Sequence, residues 1–109
     1  MNILIVDDEE VLQDVLTALI RQEGHHPICC ASGQEALSVL AQEEIDLVLI
    51  FRPSGQAGPF VTEAAARPER PAIWLQTGIR ADEEVGAARA DGLTVIQDMC
   101  AFRVHRALF

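Results

Sequence analysis

A chain of 109 residues, half of them hydrophobic, has the length of one domain and enough apolar side chains to bury a core, which argues against disorder. With 17 acidic residues against 8 basic ones the net charge is -9, so neither nucleic acid nor an anionic membrane is expected as a partner. All 8 basic residues are arginines, which excludes any mechanism that needs a lysine.

The first element, NILIVDD, is a short apolar run that ends in acids, as suits a central parallel strand whose carboxyl end meets solvent. Val11, Leu12, Val15, Leu16, Leu19 and Ile20 then recur at helical spacing. Glu9 and Glu10 favour the positive end of that helix, and Gly24 stops it. HPICCA reads as the second strand. Ser32 and Glu35 form a capping box for a helix that turns Ala36, Leu37, Leu40 and Ala41 inward.

IDLVLIF reads as the third strand, followed by the loop RPSGQAGP. Pro59 is placed to begin a helix through Phe60, Val61, Ala64 and Ala65, which RPERP ends. AIWLQTG is the fourth strand, Asp82 caps a helix to about Ala90, and LTVIQDM is the fifth strand before a last helix with Phe102, Val104 and Leu108. Strands are thus expected near residues 2 to 6, 26 to 30, 46 to 50, 71 to 76 and 93 to 97. Such alternation predicts a parallel sheet with helices on both faces, and such sheets take ligands beyond the carboxyl ends of their strands.

Cys29, Cys30 and Cys100 are an odd number of thiols without metal-ligand spacing, and they read as small buried hydrophobes. His25, His26 and His105 have no nucleophile or base partner at a telling spacing, and no catalytic constellation stands out. No signal peptide and no apolar run of ~18 residues is evident, so a soluble, cytoplasmic protein is expected.

Two resemblances overlie this pattern. ILIVDDEE, ASGQEAL and IDLVLI, over residues 1 to about 50, resemble the receiver domain of response regulators. That family uses an acidic pair for magnesium, a phosphate-accepting aspartate after the third strand, a hydroxyl residue after the fourth and a lysine after the fifth. Here Asp7 and Asp8 match the acidic pair. Phe51 stands at the acceptor, Gln76 at the hydroxyl position with Thr77 one place late, and no lysine exists.

From about residue 46 onward the chain resembles the CoA-binding protein family instead. The resemblance rests on Phe51 and Arg52, on Trp74 to Gln76 with Gly78, on Ala88 with Gly92 and Leu93, and on Asp98 with Cys100. Together the two imply a single domain over 1–109, receiver-like in 1–50 and CoA-binding-like in 51–109. The fold class is a three-layer αβα sandwich with a five-stranded parallel sheet in the flavodoxin-like order 2-1-3-4-5.

The resulting expectation is a recombined or engineered chimera that is not an enzyme and has no retained phospho-signalling. The alternatives are a weak CoA or nucleotide binding module, and a phosphorylation-incompetent receiver acting as an interaction domain. The resemblance implies that Arg52, Pro53, Ser54, Gln76, Thr77 and Gly78 face the nucleotide part of CoA. Asp7 and Asp8 are the candidate metal ligands. No cofactor is required, at most weak Mg2+ or CoA binding is expected, and no partner is certain. DDEE stands where the CoA-binding family keeps a glycine-rich phosphate loop, and its charge repels a pyrophosphate. Arg52 is expected to turn toward Asp7 or Asp8.

Overall fold

A computed structural model describes residues 1–7, 9–51 and 54–99. Among them the order is β1 (Asn2–Val6), α1 (Glu10–Gln22), β2 (His26–Cys30), α2 (Gly33–Gln42), β3 (Leu47–Ile50), α3 (Ser54–Ala65), β4 (Ala72–Leu75), α4 (Asp82–Ala90) and β5 (Val95–Ile96). The expected last helix and Cys100 lie outside the described residues.

The five strands form one sheet in the order β2-β1-β3-β4-β5, and every pairing is parallel, as expected. Leu4, Val48, Ile73 and Val95 lie in one register row, and Ile5, Leu49, Trp74 and Ile96 in the next. Because successive side chains on a strand face opposite ways, these rows supply opposite faces.

The first row belongs to the larger core, which also holds Leu40 of α2, Phe60, Val61 and Ala64 of α3, and Val85 and Ala88 of α4. Ile5, Leu49 and Trp74 of the second belong to a smaller cluster under α1, with Ile3, Ile5, Leu16, Ile20 and Leu49 buried and Leu12, Phe51 and Trp74 packed against them. Adjacent cysteines divide between the faces: Cys30 joins the larger core and Cys29 the smaller. Burial pushes the Cys30 thiol up to about 11, with the charges of Glu35 and Cys29 adding to it, so this sulfur is an inert hydrophobe.

Several local expectations need correction. Of the two apolar rows on α1, Leu12, Leu16 and Ile20 face the sheet, whereas Val11, Val15 and Leu19 are exposed. On α2, Ala36 and Leu40 are buried but Leu37 and Ala41 are exposed, and Val39 packs inward instead. The capping box is offset by one residue. Ser32 Oγ accepts the Glu35 amide at 3.2 Å, while Glu35 Oε2 accepts the amide of Ala31 rather than that of Ser32.

Pro59 does not start α3. The helix begins at Ser54 and carries the proline inside, on its exposed side, where it forfeits one backbone bond. Gly24 ends α1 as expected. At φ 83° it adopts the left-handed conformation that side chains resist, with its amide on the Arg21 carbonyl and that of His25 on Ile20.

Candidate functional site at the carboxyl edge of the sheet

Parallel topology brings the segments after β1, β3, β4 and β5 to one edge, and strand order places the switch point between β1 and β3. Asp7 and Phe51 flank that point, with the Phe51 amide donating to the Val6 carbonyl at 2.9 Å.

Asp7 is only 2% exposed. Its amide donates to the Cys30 carbonyl at 3.0 Å, its own carbonyl accepts from Gln13 Nε2, and Oδ1 accepts the Glu9 amide at 2.9 Å. Oδ2 is enclosed and has no hydrogen-bond partner among the described residues. The ion pairs among described residues all involve arginines elsewhere, namely Arg67, Arg70 and Arg80. Asp8, Arg52 and Pro53 lie outside the described residues, and so does the expected pairing of Arg52 with the acids.

Phe51, at the receiver acceptor position, is half-buried and packs into the cluster under α1. An aromatic ring there offers nothing to which a phosphoryl group can be transferred. Trp74 packs on the same cluster and donates from Nε1 to the Met99 carbonyl at 2.8 Å, so it behaves as core rather than as a stacking platform.

The β4–α4 turn gathers three of the expected binding residues. Gln76 is buried at 6% exposure and its amide donates to the Ile50 carbonyl at 3.2 Å, next to the switch point. Thr77 and Gly78 are exposed, with Gly78 at φ 83°. Ser54 stands at the start of α3, on the far side of the undescribed residues 52 and 53.

The sequence pattern did not disclose what holds this turn. Asp98, after β5, takes the Gly78 amide on Oδ1 at 2.6 Å and meets Arg80 Nη1 at 3.4 Å with Oδ2. Gln97 Oε1 accepts the Ala81 amide at 3.0 Å, and its Nε2 donates to Asp82 Oδ1 at 2.8 Å. The α4 cap is therefore supplied across the edge by Gln97, and Asp82, expected to cap, is the first helical residue. The bond from Gln97, then the bond and charge of Arg80, hold the Asp82 carboxyl below its ordinary range. One usable signal was Asp98 itself. It stands at φ 57°, a left-handed conformation that aspartate tolerates better than most residues.

At the opposite edge lies an open depression of about 430 Å³ lined by Gln42, Glu43, Glu44, Arg67, Pro68 and Glu69. It serves structure: Glu69 accepts the Ile45 amide at 3.1 Å and the Arg67 Nε at 3.2 Å, tying two loops together. Burial acts to raise the Glu69 carboxyl, but bonds from its own and the Ile45 amide and from Arg67 prevail and lower it.

Among the described residues no three His, Cys, Asp or Glu side chains converge as a metal site, and no helix is long and apolar enough to cross a membrane.

Comparison with known proteins adds three findings. A family model described as "CoA binding domain" matches residues 10–106, so that likeness starts well before residue 46 and overlaps the receiver-like part. An NtrX-like response regulator of Rickettsia bellii is 34% identical over 50 residues, which are 46% of this chain and 10% of that protein. The match thus spans about a tenth of that relative. Among solved structures, the Thermus thermophilus protein "cell-free ID.343" superposes with a TM-score of 0.75 at 24% identity, covering 99% of this chain and 90% of the other. The beryllofluoride-activated NtrC4 receiver domain gives 0.68 at 22% identity, covering 98% and 89%. At these identities the superpositions speak for the fold alone.

Proposed function

The chain belongs to the CoA binding domain family, and from that membership we propose that it is a non-catalytic binding module that holds the nucleoside part of a CoA-type ligand at the carboxyl edge and performs no phosphoryl transfer. The observation that carries this reading is position 51, where an aromatic ring built into the apolar layer takes the place of a phosphate acceptor. Supporting it, the chain has no lysine to neutralise a transferred group. Binding is supported by family membership and by the exposed Thr77 and Gly78 in a turn braced by Asp98 and Gln97.

The fit to the whole of CoA is incomplete. A CoA-type ligand carries phosphates, and they favour glycine amides or cations at the end of the first strand. This chain sets the enclosed carboxylate of Asp7 there.

A second reading has its own support. The receiver-like residues 1 to about 50, joined to a CoA-binding-like remainder, are what recombination between a receiver and a relative of this family would leave. Both contribute parallel strands of the same spacing, so a seam near Asp46 preserves the pleat: the Asp46 amide donates to the Asn2 carbonyl and its carbonyl accepts the Ala72 amide, each at 2.9 Å. On that origin no ligand binding need survive. Under either reading the net charge of -9 opposes nucleic acid or an anionic membrane as a partner.

Two assays test the first reading. Incubation with acetyl phosphate and magnesium is expected to leave the intact mass unchanged, and a base-labile gain of one phosphoryl group would contradict it. A CoA or adenosine titration is expected to raise the melting temperature, since a ligand held only by the folded state stabilises it. No response to either ligand would leave the recombination reading in its place.

A further inference from the structure

Resting on the ligand reading above, we propose that Asp98 is a positioning residue of the carboxyl edge: it sets which way the peptide between Thr77 and Gly78 points, and so offers the Thr77 carbonyl to a hydrogen-bond donor on the ligand's nucleoside. The β4–α4 connection turns at residues 76–79, where the Ile79 amide donates to the Gln76 carbonyl at 2.9 Å. Gly78 is the third residue of that turn and stands at φ 83°, as a type II turn requires. A type I turn keeps the same closing bond with its central peptide turned over, and glycine, which has no Cβ, takes either form. The closing bond therefore leaves the orientation of the 77–78 peptide open. Asp98 decides it, since Oδ1 accepts the Gly78 amide at 2.6 Å. The Gly78 amide and the Thr77 carbonyl belong to one trans peptide and point opposite ways, so the carbonyl faces away from Asp98.

Asp98 grips the turn with its main chain as well, its amide donating to the Ile79 carbonyl at 3.2 Å. Its φ of 57° is one that aspartate and asparagine tolerate better than most residues, and such backbone persists only where the surroundings impose it. Arg80 lies 3.4 Å from Asp98 Oδ2 and 3.0 Å from Asp82 Oδ1, but these side chains are exposed and the pairs add little to stability. The bond to Gly78 therefore carries the orientation. Thr77 and Gly78 are exposed at the edge, so a ligand can reach their peptide. A carbonyl only accepts, and the group it meets is an amine or hydroxyl of the nucleoside. Two acids share one arginine here, so removing the Asp98 charge by itself favours an anionic ligand.

Calorimetric titration of the wild type, Asp98→Asn and Asp98→Gly with CoA in the presence of a chelator, alongside urea unfolding, tests this. Both variants lose the same charge and accommodate the positive φ, but only asparagine keeps an acceptor for the Gly78 amide. Asp98→Asn is expected to bind CoA at least as tightly as wild type, and Asp98→Gly about tenfold more weakly than Asp98→Asn, with the urea midpoints of the two variants alike. Equal affinities of the two variants overturn the inference and leave the ligand reading standing. So does weaker binding by Asp98→Gly that comes with a matching fall in its urea midpoint, which marks a general structural role. Absence of CoA binding by the wild type overturns the ligand reading and the inference together.

Discussion

Replacing Phe51 with aspartate is expected to destabilise the protein by about 3 kcal/mol and to leave it unable to accept a phosphoryl group. The first half follows from packing. The half-buried Phe51 ring packs against the buried cluster under α1, and a carboxylate there loses that contact and carries charge into an apolar layer. It also adds a second acid beside Asp7, whose Oδ2 has no partner among the described residues. The second half follows from chemistry. Restoring the acceptor restores neither the lysine, absent from the whole chain, nor a hydroxyl at Gln76. Urea unfolding and intact mass after acetyl phosphate and magnesium check the two halves. A stable, phosphorylated Phe51→Asp would mean that the edge had retained receiver chemistry and needed only its acceptor.

Leu4→Ala is expected to cost about 3 kcal/mol, and Leu37→Ala less than about 0.5 kcal/mol. Leu4 is fully buried in the middle of β1, beside Ile28 and Val48 in the register, and packs into the core shared with α2, α3 and α4. Its truncation opens a cavity in the central strand, where neighbours on both sides limit collapse. Leu37 is 39% exposed on α2 and leaves no cavity. For a domain whose whole stability is of the order of 5–15 kcal/mol, the first loss is a large share. Comparable midpoint shifts for both variants in urea would mean that the inward face of α2 has been misassigned.

The strands were legible because each is a short apolar run, and a buried parallel strand requires nothing more specific. Helix orientation was less so. On α1 the rows Val11–Val15–Leu19 and Leu12–Leu16–Ile20 are equally periodic, and only the sheet beneath decides that the second is buried. Pro59 misled the reading of α3 because proline is common at a helix start, yet the turns before it form despite two glycines.

At the site, the substitution at position 51 and the exposed turn at Thr77 and Gly78 could be read from motif spacing. The bonds that hold the turn could not. They join Asp98 to Gly78 and Gln97 to Ala81, residues 20 and 16 apart that only the β4–β5 pairing brings together. The incomplete bonding of Asp7 was likewise invisible, since sequence shows an acid but not which of its oxygens finds a donor.

The account's central claim is that ligand binding, without phosphoryl chemistry, resides at the carboxyl edge. Following backbone amide chemical shifts by NMR while CoA is added, with a chelator present, tests it most directly. Shifts that saturate at Phe51, Gln76, Thr77, Gly78 and Asp98, with Glu43, Glu44, Arg67 and Glu69 at the opposite edge unmoved, are the predicted result. Shifts confined to that opposite edge, or none at saturating CoA, would contradict it.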